Sequence, residues 1–599
     1  MNKKNYVAVA TLAFAMLTSC AGQKEAKSTS GIDLANMDTT VSAGTDFFRY
    51  ACGGWNDAHP LTAEYSRYGT FDELFENSQK QLRELIEGLA AQKNNQAGSA
   101  AQKIGDLYNM AMDSVTLNKQ GAEPVKAMLD KIAGMKDKSE IVPMMTEMAH
   151  IGIGTYFHSC VYADPKNSSL NIFQMGQGGI NLGEKEYYLD TDSITQNIRE
   201  QYKLYIGKLF QLAGFSEADA QQKVADVMEI ETAIAKVSRS ATELRDPEAN
   251  YHKMSFDELK KTIAGIDWDA YMKGLGIQAP AELNVEQVEP IQEVARLMNT
   301  LPLSKHVSYL EYNLLDAAAS CLSDDFVAAR FDFYGKVLSG RQVNQPRWKR
   351  AVNSVNGMLG ELVGEMYVEK YFPAAAKERM VKLVKNLQTA LGERIDAQEW
   401  MSDSTKIRAH EKLATFHVKV GYPDKWKDYS KLEIKNDSYW ANVCRASEWG
   451  FNDMYSRIGK PVDKDEWLMT PQTVNAYYNP STNEICFPAA ILQPPFFNME
   501  ADDAANYGAI GVVIGHEMTH GFDDQGRQYD KDGNLKDWWT AEDAKNFEAR
   551  AAVMANFFDS IEVAPGVHAN GEFTLGENIA DHGGLQVSYQ AFKKATAAA

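Results

Sequence analysis

The sequence predicts a mainly helical protein with few strands and more than one domain. Three features point that way. Apolar residues recur at helical spacing, as in Leu74, Phe75, Leu82, Leu85, Ile86 and Leu89, so that they fall on one face of a helix. Helix-start signals precede such stretches: Thr70 and Glu73 have the spacing of a capping box, in which a hydroxyl and a carboxylate each accept an otherwise unpaired backbone N–H. Finally, 599 residues exceed what one hydrophobic core usually serves, and 44% apolar residues can fill sizeable cores without disulfides. No internal repeat is visible.

The chain opens on the basic segment Met1-Asn2-Lys3-Lys4, followed by an apolar run from Val7 to Leu17 that is too short to span a bilayer. Residues 1–19 therefore read as a signal peptide. Leu17-Thr18-Ser19-Cys20 resembles a bacterial lipobox, in which Cys20 is lipidated after cleavage, and residues 20–44 follow as anchor and polar tether. Simple cleavage at a small residue is the plainer alternative. The expected location is the bacterial cell envelope, on a membrane face toward periplasm or exterior, through lipid rather than a spanning helix. Without Cys20, five cysteines remain, an odd number with no metal-type pairs, expected mainly as small core residues.

Pro- and Gly-containing stretches from Pro346 to Gly357 and from Gly421 to Pro461 interrupt helical periodicity and are the best boundary positions. The most informative segment follows, Val512-Val513-Ile514-Gly515-His516-Glu517-Met518-Thr519-His520. Tyr507, Ile510, Val513, Ile514 and Met518 supply apolar positions at helical spacing, and Gly521 stands where a helix often stops. In such a helix His516 and His520 lie one above the other, about 6 Å apart along the axis, so both imidazoles reach one metal ion. Glu517 stands beside them, placed to take a proton from a water activated there. Two surface histidines are the bland alternative; the glutamate and the helical context favour one zinc ion per chain.

A catalytic zinc takes a third protein ligand and keeps one position open. Asp523 and Gly526 stand where a metzincin would carry Gly and His, which excludes that subclass. Thr574 to Glu577 reads as a second capping box, and in the helix it opens Glu577 and Asp581 share a face. Glu577 is a candidate ligand. Asp581 is a candidate acceptor for the outer nitrogen of a ligating histidine, a contact that fixes its tautomer and raises its basicity. Spacing alone leaves His568 and His582 as rival ligands, and an ordinary solvated acidic face as the alternative.

These residues carry a family resemblance. The chain resembles neprilysin-type zinc metallopeptidases of the bacterial endopeptidase O branch. Asn475-Ala476-Tyr477-Tyr478, Phe487-Pro488-Ala489 and Gln493 to Phe497 are similar to the family segment ahead of the metal helix. His520 to Asp524 and Gly576 to Asp581 are similar to its catalytic signatures. Tyr50 to Trp55, Ser66 to Gly69, Tyr251 to Met254, Val355 to Gly357 and Gly421 to Asp424 follow in family order, so the likeness runs from about residue 45 to the last. It implies a zincin-type fold, mainly α with small β elements, whose two lobes enclose a central cavity that admits peptides rather than folded proteins. It divides the chain into an N-terminal peptidase region, 45–424, a connector, 425–471, and a zinc catalytic region, 472–599.

The resemblance also makes His516, His520 and Glu577 the zinc ligands, Glu517 the general base and Asp581 the partner of a ligating histidine. Asn475 and Ala476 would bind substrate backbone, and Arg67 a substrate carboxylate, although Phe75 stands where the mammalian pattern has a second arginine. The implied activity is cleavage of short peptides before large apolar residues. Family members continue past the third ligand to a histidine and an arginine that serve the transition state, whereas no His follows His582 and no Arg follows Arg550. The expectation is a C-terminally truncated chain, weak or inactive as written.

Two other readings stand beside the peptidase: a lipoprotein that retains only peptide or zinc binding, and a structural zinc protein, which needs a fourth protein ligand. A net charge of −20 argues against nucleic acid as partner, since that calls for basic patches. Nothing in the sequence sets the oligomeric state. Lys531-Asp532-Gly533-Asn534 has its glycine in the wrong register for a calcium loop and reads as a hairpin turn.

Overall fold

The structure is a computed structural model and describes residues 30–597. Cys20 and the expected signal segment lie outside the described residues. With 58% helix against 8% strand the fold is mainly α, and its elements gather into two lobes.

The first lobe begins with α1 (Thr70–Ala90) and α2 (Ala100–Met112). Leu74, Leu82 and Ile86 of α1 are buried between them and their neighbours, with Leu85 and Leu89 at the margin; each fully buried side chain of this kind contributes about 1.5–3 kcal/mol. The start of α1 differs from the expected box by one residue. The backbone is still extended at Gly69, whose N–H donates to Asp72 at 2.9 Å, so Thr70 is the first helical residue rather than the cap.

Four strands follow: β1 (Phe157–Asp164), β2 (Asn167–Gln177), β3 (Lys253–Ser255) and β4 (Glu282–Val285), in the order β1-β2-β4-β3. Among the helices around this sheet, α3 (Leu303–Ala318) packs on other helices, and its Tyr309, Leu310, Tyr312, Leu314 and Leu315 are wholly inaccessible, so it is buried nearly all round. The break expected from Pro346 to Gly357 is instead a helix, α4 (Arg347–Met358), with Pro346 just ahead of it, where a missing N–H costs no helical hydrogen bond.

The second lobe comprises α5 (Ala374–Asp396), α6 (Asp403–Ala414) and β5 (His417–Gly421). Next comes α7 (Tyr439–Tyr455), which returns to pack on α2 and β1, so the second expected break also contains a helix. After it come β6 (Tyr477–Asn479) and β7 (Glu484–Pro488), in a sheet of order β5-β7-β6 that leaves β6 at an edge. Three helices complete the lobe: α8 (Val512–His520), α9 (Ala541–Asp559) and α10 (Leu575–Ala597).

The expected hairpin turn is present, with Tyr529 bridging Leu535 and Gly533 at φ +86°. It also ties the lobes, since Asn534 accepts from the Ser168 N–H at 2.8 Å and the Leu535 N–H donates to Pro165 at 2.6 Å. A cavity of about 790 Å3 lies between the lobes, lined by Val161 to Ala163 on one side and Val418 to Val420 on the other. The five described cysteines are all unpaired, with Cys321 and Cys486 buried and the rest half-buried.

Candidate metal centre

The motif helix is longer than α8 alone. A helical turn over Asp503–Asn506 and a π-wound turn over Tyr507–Gly511 lead straight into it, and Gly521 caps its end. Tyr507, Ile510, Ile514 and Met518 are buried as their spacing predicts, and they fix which face carries the two histidines. His516 Nε2 and His520 Nε2 lie 2.9 Å apart. Glu577 Oε2 lies 3.3 Å from the first and 3.6 Å from the second. The outer nitrogens are both engaged: His516 Nδ1 donates to Asp581 at 2.8 Å and His520 Nδ1 to Asp523 at 2.7 Å. An ionised carboxylate can only accept, so each ring donates from Nδ1, and in its neutral form leaves Nε2 free for a metal.

Glu517 is 6% exposed and turns into a cavity of about 380 Å3, which His516, His520, Glu577, Asn475 and Ala476 also line. Its carboxylate lies within 4.8 Å of both imidazole nitrogens, but Glu577 stands closer to them. Asn475 and Ala476 precede the edge strand β6.

Two features that hold this site together have no local signature in the sequence. The first is the crossing of α8 and α10. A Cβ placed on Gly515 would come within 2.8 Å of the Gly584 backbone, and one on Gly584 within 2.7 Å of the backbone of Val512 and His516. Only glycine at both positions lets the helices approach closely enough for α10 to bring Glu577 and Asp581 to the histidines of α8. The second is Lys412 of α6, 1% exposed, whose Nζ donates to the carbonyls of Gly521, Gly526 and Tyr529, each at 2.7 Å. It clamps the loop that follows α8 and carries Asp523. Burial pushes its ammonium down to about 7 against the pull of Asp523 and Asp530. Lys412→Met keeps the volume but removes three charge-assisted hydrogen bonds and strands the Gly521 carbonyl, while those of Gly526 and Tyr529 still accept from the Tyr529 N–H and the Trp538 Nε1–H; it is expected to lower stability by about 2–4 kcal/mol. Thermal unfolding within about 1 kcal/mol of the parent would refute the clamp.

Other candidates are placed elsewhere. Arg67 is exposed on the loop ahead of α1, makes no ion pair among the described residues and does not line the site cavity. That loop is pinned away, with the N–H groups of Gln342 and Val343 both donating to Ala63 at 2.9 Å. His568 and His582 do not reach the centre: the ring of His568 contacts Asp559 and that of His582 contacts Gln586. The expected box at Thr574 is also absent, since its hydroxyl donates to Asn570 and Glu577 faces the histidines instead. The role of Asp523 has only a weak signal in the sequence, a carboxylate three residues after His520, within reach of the ring over one turn.

The acids charge this centre. Burial disfavours the charged form of His516, but Asp581 and Glu577 outweigh it and raise its pKa to about 9; for His520, Asp523 and Glu577 raise it to about 10. Hydrogen bonds from the two histidines hold Glu577 well below the usual carboxylate range, while burial pushes Glu517 up. A metal requires both imidazoles neutral, so at pH 7.5 it displaces protons that the acids hold on the metal-free rings. Zinc binding is expected to release protons at pH 7.5 and progressively fewer as pH rises past 10, with affinity climbing over that range. Calorimetry in buffers of different ionisation heat measures this, and release of under half a proton at pH 7.5 contradicts it.

The donor set suits zinc. Tetrahedral donors about 2.0–2.1 Å from an ion lie about 3.3–3.4 Å from one another, and the two imidazole nitrogens and the Glu577 oxygen are separated by 2.9, 3.3 and 3.6 Å. Comparison with known proteins agrees. Residues 43–423 match the N-terminal profile of peptidase family M13, and residues 475–599 match the peptidase family M13 profile itself. Endothelin-converting enzyme 1 of Rattus norvegicus is 33% identical over 585 residues, 94% of this chain and 75% of that protein. The human enzyme of that name is likewise 33% identical, over 94% and 74%. Zinc metalloprotease Zmp1 of Mycobacterium tuberculosis, solved with an inhibitor, superposes with a TM-score of 0.91 at 38% identity, over 95% of this chain and 87% of that one. PepO of Lactobacillus rhamnosis shares the fold, with a TM-score of 0.82 at 24% identity over 90% and 85%. The chain belongs to peptidase family M13 and is a zinc metalloendopeptidase.

Proposed function

We propose that this chain is an exported endopeptidase that hydrolyses short peptides ahead of large apolar residues, with one zinc held by His516, His520 and Glu577 and with Glu517 as general base. The observation that carries the reading is convergence: two Nε2 atoms and one carboxylate oxygen face a common point, with a buried carboxylate beside them in the same cavity. Zinc bound there would polarise a scissile carbonyl and lower the pKa of a water from about 15.7 to about 7. Glu517 then takes the water's proton and returns it to the leaving amine. Asp581 and Asp523 keep the two imidazoles oriented throughout. Asn475 and Ala476 stand where an extended peptide can add main-chain hydrogen bonds along the open edge of β6.

The apolar preference is supported by the family resemblance. Export and a lipid anchor on Cys20 are supported by the basic and apolar segments ahead of it, and a cell-envelope location goes with that reading. Among the described residues no helix is long and apolar enough to cross a membrane.

Removing metal with a chelator is expected to abolish cleavage of a short-peptide library, and one equivalent of zinc per chain to restore it. Sequenced products should begin with large apolar residues. Cleavage that survives complete zinc removal sinks the mechanism, and products that begin mostly with charged residues sink the preference. Cys20→Ser is expected to release the protein from membranes; retention overturns the anchor.

A further inference from the structure

The strongest unassigned feature is a cavity of about 540 Å3 in the first lobe, walled by α4, the residues after α3 and a π-wound segment over Phe331–Leu338. It shares no lining residue with the zinc cavity. Four arginines line it, Arg330, Arg341, Arg347 and Arg350, and no Asp or Glu does. In a chain of net charge −20 that is a local reversal of sign.

Two of the four are neutralised from behind. Arg330 pairs with Asp316 at 2.6 Å, and Arg347 pairs with Asp324 and donates to the Ala111 carbonyl. The other two are not. Arg350 is half-buried and its Nε reaches only the Gln345 carbonyl, at 3.2 Å, while the Arg341 guanidinium makes no hydrogen bond among the described residues and rests 5.4 Å from the centre of the Phe331 ring. Burial first, and then the like charge of Arg347, weigh against the charge on Arg350, with Asp324 the opposing acid. Guanidinium groups left without a carboxylate partner in a recess present paired N–H donors that match carboxylate and phosphate oxygens.

The rest of the wall suits an organic body. Phe331, Tyr334 and Tyr439 supply aromatic surface, and the volume falls in the range of small-molecule sites. The π winding shapes the recess: it carries Phe331, Tyr334 and Gly335 into the wall, and a Cβ on Gly335 would come within 2.2 Å of the Phe331 ring. Such local departures from α geometry recur at functional sites.

We propose that this cavity binds a small organic oxyanion, a carboxylate- or phosphate-bearing molecule, through Arg341 and Arg350. The site stands apart from the peptidase reading, so either can fail alone. The test titrates the zinc-loaded protein with inorganic phosphate, glycerol phosphate and succinate, each against chloride at matched ionic strength, by calorimetry and thermal shift. At least one oxyanion should bind beyond the chloride control, and Arg341→Gln with Arg350→Gln should weaken it at least tenfold. The phosphate and succinate arms identify the headgroup. Responses no greater than chloride for all three probes, or equal binding by parent and double variant, overturn the proposal. Should the double variant fail to fold, phenylglyoxal labelling of the unaltered protein decides: the bound oxyanion must protect Arg341 and Arg350 from modification, and no protection overturns the site.

Discussion

Glu517→Gln is expected to lower kcat by about 100- to 10,000-fold while zinc stays bound at one ion per chain. The substitution preserves shape and removes only the capacity to hold a proton, which is the contribution a positioned general base makes. Geometry supports the separation of roles. Glu517 lies beside the two imidazole nitrogens but farther from them than Glu577, so the donors that hold the ion remain in place when it is changed. Its burial, at 6% exposure, means that no bulk water can easily substitute for it. Metal content and single-turnover cleavage should be measured on one preparation. Activity within threefold of the parent at full zinc occupancy rejects Glu517 as the base, whereas loss of zinc with activity assigns it to the ligand set instead.

What could be read from sequence follows from what is local. The two histidines and Glu517 occupy one turn of an apolar-patterned helix, and the Glu577 to Asp581 spacing repeats that logic on a second helix, so each half of the site was legible separately. That the halves meet was carried by the resemblance, because no spacing rule links residues sixty apart. The role of Asp523 is not legible, since a carboxylate three residues past a histidine is common, and only the bend at Gly521 brings it to the outer nitrogen. Lys412 gave no signal at all: it sits in a charged helix segment, and its three carbonyl partners come from a loop more than a hundred residues away. The helical class was likewise legible from period alone. Its boundaries were not, since Pro346 opens a helix where a break was expected and Gly69 displaces the Thr70 cap.

The glycine crossing yields the second large effect. Gly584→Ala is expected to reduce zinc affinity at least about 100-fold and to destabilise the fold by about 1–3 kcal/mol, as overpacked cores do. Carbon atoms prefer about 3.5–4.0 Å, yet the added methyl would meet the Val512 carbonyl and the His516 N–H at 2.7 Å, both backbone atoms of a packed helix that cannot rotate aside. The helices must then part by roughly 1 Å, which lengthens the 2.8 Å contact from His516 to Asp581 beyond hydrogen-bonding range and draws Glu577 off the metal. Gly515→Ala meets Gly584 at 2.8 Å and should match it. Gly583→Ala meets only the Thr519 side chain, at 2.6 Å, and no backbone atom, so its effect should be smaller. Gly508→Ala, in the same helical run with nothing within 4 Å, should leave zinc affinity unchanged. This rank order tests close approach specifically, because a general intolerance of alanine in the run would penalise Gly508 as well. If Gly508→Ala loses zinc as strongly as Gly584→Ala, the crossing is not what positions Glu577.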